Sequence, residues 1–84
     1  MKYTVVWMPS ALNDLARLWN NAPDRHAVAA ASDTIDAIVM NDPYAHSESR
    51  EGDSRIMIVP PLAVEYHVSD DDCLVTVRAV WRWR

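Results

Sequence analysis

Glu65 and His67 in "LAVEYHV", with Arg78 and Arg82 in the closing "VRAVWRWR", are the side chains whose types and spacing suit phosphoryl chemistry. On an extended strand a separation of two puts a carboxylate and an imidazole on one face. There they can serve as general base and acid for attack by a ribose 2′-hydroxyl, with Arg78 or Arg82 stabilising the charge that gathers on the phosphorane. The same pair has a plainer reading, since exposed sheet faces carry such residues as cross-strand salt partners. The terminal "AVWRWR" is also double-edged. Tryptophan interleaved with arginine suits stacked bases and held phosphates, yet strict alternation is how a half-buried strand reads.

Other candidates are weaker. His26 falls early in a helix and His46 in a loop, and no metal-ligand spacing joins them to His67, so no metal is expected. The run "SDDD" lacks the glycine and distal glutamate of a calcium loop and reads as a solvated turn. "ESRE" reads as solvated surface, and the lone Cys73 as a small core residue at a strand start; with one cysteine there is neither a disulfide nor a cysteine zinc site. No residue pattern calls for a cofactor.

These residues must be positioned by one domain, because 84 residues allow no more. A hydrophobic fraction of 50% with a single glycine excludes disorder. A monomer is allowed, and a homodimer that buried a further apolar face would add stability. No apolar run reaches the length of a membrane span, and Met1-Lys2 leads straight into a strand-like segment, so a cytoplasmic chain without a signal peptide is expected. The net charge of −4 opposes nonspecific nucleic-acid binding. It is unevenly spread: residues 1–49 hold three basic and six acidic residues, while the last ten hold Arg78, Arg82, Arg84 and no acid.

"YTVVW" reads as a strand, and Pro9-Ser10 opens a helix. In the first helix, near 10–21, Leu12, Leu15, Ala16 and Trp19 recur as an apolar face. In the second, near 24–41, the stripe is Val28, Ala31, Ile35 and Ile38, ending before Pro43. Residues 42–54 have no period and read as an exposed loop. Three strands follow: "RIMIV", cut by Pro60-Pro61; "LAVEYHV"; and, after the "SDDD" turn, "CLVTVRAVW". The order β-α-α-β-β-β predicts an α+β fold, two helices on one face of a four-stranded, mostly antiparallel sheet whose other face is open. Alternation puts Leu62, Val64, Tyr66 and Val68 inward, with Cys73, Val75, Val77, Ala79, Trp81 and Trp83 beside them; Ala63, Glu65, His67, Thr76, Arg78 and Arg82 are left outward. The expected core is Trp7, Leu15, Ile35, Val64, Val77 and Trp81.

"YTVVWMPSALNDLARLW" and "RIMIVPPLAVEYHVSDDDCLVTVRAVWRWR" together resemble the opening strand and helix and the closing strands of the RelE/ParE family of type II toxin–antitoxin toxins, across nearly the whole chain. The resemblance implies growth inhibition, a role in plasmid stabilisation, and a cognate antitoxin whose helical or extended segment wraps the toxin. It further implies one of three activities: a ribosome-dependent endoribonuclease acting on mRNA, a non-nuclease ParE-like inhibitor of DNA gyrase, or a catalytically degenerate antitoxin-binding relative. Arg82 falls at the arginine of the family's closing motif, with Trp81 where histidine is frequent. Ala63 replaces an arginine of the penultimate strand, and Arg50 and Arg55, in and just after the loop where nuclease members are basic, are the available substitutes.

Overall fold

The computed structural model describes residues 2–83. Strand β1 (Thr4–Trp7) leads into helix α1 (Pro9–Asn21) and helix α2 (Arg25–Asn41), followed by β2 (Glu48–Ser49), β3 (Ser54–Val59), β4 (Leu62–Ser69) and β5 (Leu74–Arg82). The strands form one sheet in the order β1-β5-β4-β3-β2, with β1 parallel to β5 and the other pairs antiparallel. Both helices lie on one face, which confirms the α+β layering. The strand count is five instead of four: within the loop expected over 42–54, Glu48 and Ser49 pair with Ile56 and Arg55. A two-residue strand is too short to leave a periodic signal.

Pro9 takes the first helical position, where its missing N–H costs nothing. The face α1 buries differs from the expected one. Ala11 is fully buried and Leu15, Leu18 and Ala22 pack half-buried on the core, whereas Leu12 and Trp19 are exposed. Both sets recur at helical spacing, so periodicity alone cannot choose. The small Ala11 lets the helix approach β5 closely, and that selects the other stripe. In α2, Val28, Ala31, Ile35 and Val39 are buried as a stripe against β3 and β4. Trp7 ties β1 to α2 by donating from Nε1 to Asp36 at 2.8 Å.

Pro60 and Pro61 make the tight turn between β3 and β4, outside any ladder. On β4, Leu62, Val64, Tyr66 and Val68 face the helices as alternation requires. On β5 the alternation breaks. Tyr66 pairs with Val77 but Glu65 pairs with Ala79, leaving Arg78 as an extra residue in a β-bulge. The phase therefore inverts halfway along the strand: Val75 and Val77 are buried before the bulge and Val80 after it. Trp81, expected in the core, is 36% exposed on the opposite face, and Arg82, expected to face outward, turns to the helical side. Cys73 belongs to the turn rather than to the strand, with a left-handed φ of 50°. No helix among the described residues is long and apolar enough to cross a membrane.

Candidate functional site

The uncovered face of the sheet is organised by register, because directly paired residues share a face. One row contains Trp81, Ala63 and Ile58; the next contains Ala79, Glu65, Ile56 and Glu48; the third contains Val6, Thr76, His67 and Ser54. Glu65 and His67 thus stand in adjacent rows of the central strand, as their spacing predicts. Both are half-buried, and neither makes a side-chain hydrogen bond or ion pair within the described residues. Glu65 borders a concavity of about 530 Å³ whose other walls are Arg50, Glu51, Ser54 and Ile56. No group of three metal-ligating side chains occurs among the described residues.

The four arginines proposed to accompany this pair are dispersed. Arg78, the bulge residue, is exposed opposite Glu65 and makes no ion pair or side-chain hydrogen bond within the described residues. Arg82 is on the other side of the sheet, bound by two parallel bonds to Asp24 at 2.8 and 3.0 Å. Hydrogen bonding to this guanidinium holds the Asp24 carboxyl below the usual carboxylate range, and Asp24 in turn raises Arg82. Arg50 pairs with Glu48 at 3.0 Å on the surface. Arg55, paired in register with Tyr66, also faces the helical side, where Nε donates to Ser47 Oγ at 2.7 Å and the guanidinium lies 5.0 Å from the Tyr44 ring centre. Only Arg78 shares the neighbourhood of Glu65 and His67. The cause is the bulge, which aims one arginine out beside the pair and sends the next one behind the sheet.

Trp81 is the residue of this face that strict alternation conceals. Its row partner Ala63 is fully buried although no helix covers that side, being enclosed between Ile58 and Trp81. A small residue at 63 opposite a tryptophan was the one available hint. A second missed feature lies at the other end of the sheet, in the "SDDD" turn. Asp70 accepts hydrogen bonds from Tyr3 at 2.7 Å and Tyr44 at 2.9 Å, joining the N-terminal segment, the loop after α2 and the β4–β5 turn. The Tyr3 phenol is pushed up to about 12, chiefly by its bond to Asp70. Burial and then Asp70 raise Tyr44, and the two phenols hold the Asp70 carboxyl below its usual range. This aspartate anchors structure, where solvated charge was expected.

No protein-family model and no curated protein sequence matches the chain. Solved structures do match in fold. The RelBE2 toxin–antitoxin complex of Mycobacterium tuberculosis superposes with a TM-score of 0.80 at 20% identity, covering 98% of this chain and 99% of that one. The free Escherichia coli toxin RelE, in a variant with two arginines replaced by alanine, gives 0.68 at 17% identity over 98% and 84%. The YoeB–YefM toxin–antitoxin heterotetramer of Staphylococcus aureus gives 0.64 at 14% identity over 100% and 99%. The fold is therefore that of RelE-type toxins, spanning the chain from end to end.

Proposed function

We propose that this chain is the toxin of a type II toxin–antitoxin module and that it cuts messenger RNA at the open face of its sheet. The observation that carries the reading is the meeting of Glu65, His67 and Arg78, none of them engaged elsewhere, on the uncovered face of a RelE-type fold. Glu65 takes the proton of a ribose 2′-hydroxyl. The 2′-oxygen then bonds to the adjacent phosphorus, the bond to the 5′-oxygen breaks, and His67 as imidazolium returns a proton to that leaving oxygen. The products are a 2′,3′-cyclic phosphate and a 5′-hydroxyl. Arg78 offers donors to the phosphorane oxygens, which carry more charge in the transition state than in the substrate. A net charge of −4 gives the protein little hold on free RNA. The substrate is accordingly a transcript held in place by the ribosome, and a cognate antitoxin keeps the toxin silent.

Primer extension on transcripts, after induction of wild type, Arg78→Ala and Arg82→Ala, tests this reading. New cuts should appear with wild type and Arg82→Ala and vanish with Arg78→Ala. Cuts that persist without Arg78 would remove the assigned role. A second reading, a non-nuclease toxin acting on DNA gyrase or a degenerate antitoxin binder, is favoured by one observation. Arg50, Arg55 and Arg82 are all engaged within the protein, and Glu48 and Glu65 make the open face acidic. Growth arrest without transcript cuts, with loss of supercoiling activity, would select the gyrase branch.

A further inference from the structure

Strand β5 outlasts its neighbour. β1 pairs with Leu74 to Val77 only, while β5 continues to Arg82. Beyond Val77 the strand has β4 on one side and no strand on the other. The Trp83 N–H donates to the Pro61 carbonyl at 2.8 Å. Antiparallel alternation then turns the main-chain groups of Trp81 toward β4 and those of Val80 and Arg82 outward. Among the described residues no other backbone group bonds to them. Along this edge runs a groove of about 440 Å³, with Leu18, Ala22, Pro23 and Val80 as its apolar floor and Arg17 and Arg82 at its rim.

We propose that this stretch of β5 accepts an extended segment of a partner protein as an added strand, its alternate apolar side chains in the groove and a carboxylate against Arg78. Strand addition supplies affinity through main-chain bonds and selectivity through alternate side-chain pockets, and this edge has both parts. The remaining edges do not, since β1 offers four residues and β2 two. A second copy of this chain is a poorer occupant. Two-fold pairing of β5 edges would set Arg78 and Arg82 against their own counterparts, and like charges across a strand pair repel. An acidic, extended partner gains where a second copy loses.

The inference deepens the antitoxin part of the proposed function and rests on it. A segment whose carboxylate occupies Arg78 removes the guanidinium that RNA cleavage requires, so partner binding and cleavage exclude each other.

The test is amide hydrogen exchange, read by NMR on the full 15N-labelled chain. The probes are three acetylated, amidated heptapeptides: alternating Val and Glu, alternating Val and Lys, and the Val–Glu peptide methylated on alternate backbone nitrogens. The Val–Glu peptide should slow exchange at Val80 and Arg82 by about tenfold or more, as pairing replaces water at those amides. The other two should protect them far less, and Arg78→Glu should reverse the preference between glutamate and lysine peptides. Unchanged exchange at Val80 and Arg82 in millimolar Val–Glu peptide overturns the proposal, as does equal protection by the methylated peptide. Failure of the toxin reading looks different: growth and transcripts would stay normal on induction, whatever the peptides do at the edge.

Discussion

Deleting Arg78 is the sharpest perturbation of the arrangement. Val77 already opposes Tyr66 and Ala79 already opposes Glu65, so removing the residue between them closes the ladder without turning any side chain over. Val75, Val77 and Val80 stay buried and Trp81 stays on the open face. The expected cost is the local readjustment of one bulge, about 1 kcal/mol or less, which in a domain of this size lowers the melting temperature by about 4–8 °C at most. Without a bulge, the same deletion would invert residues 79–83 and expel Trp81 from a core site. Loss of a core tryptophan costs about 3–5 kcal/mol, against a total stability of roughly 4–13 kcal/mol for a chain of this length. Thermal melting followed by circular dichroism separates the two cases. A deletion variant that melts more than about 15 °C below wild type would refute the assignment of faces. The same variant keeps the fold and lacks the Arg78 guanidinium, so under the proposed function it is stable and harmless on induction.

Three other outcomes are expected. Tyr66 is fully buried and its hydroxyl donates to the carbonyl of buried Pro43, so Tyr66→Phe orphans that acceptor and should cost about 1–3 kcal/mol in a urea melt; an unchanged midpoint would show that the bond contributes nothing. Because the Tyr3 phenol is raised to about 12 from 10.0, the stability it supplies is complete below pH 10 and declines between pH 10 and 12, and Asp70→Asn should return its ultraviolet titration toward 10. The linked Asp70 carboxyl is depressed, so its contribution persists above the ordinary carboxylate range and is lost as pH falls through the lowered value, a loss that Tyr3→Phe with Tyr44→Phe should blunt in acid melts. Finally, Asp24→Arg and Arg82→Asp should each lower the melting temperature and together restore it, since the bidentate pair joins the α1–α2 connection to β5; the absence of any rescue would mean that the two side chains act independently.

What the amino-acid sequence determined by itself is the list of elements and most of their faces. The α2 stripe, the inward set Leu62, Val64, Tyr66 and Val68, and the outward pair Glu65 and His67 all follow from period alone, because helices and regular strands repeat identically at each residue. Tertiary structure decided whatever depends on a single departure from that repeat. The bulge at Arg78 leaves no local mark, since an inserted residue looks like any other, yet it exchanges the sides of Val80, Trp81 and Arg82 and so selects which arginine accompanies Glu65 and His67. The choice between two overlapping stripes on α1 needed the approach of β5 to favour Ala11 over Leu12. Asp70 with its two tyrosines, Arg82 with Asp24, and the free edge of β5 join residues distant in sequence, and only the folded chain brings such partners together.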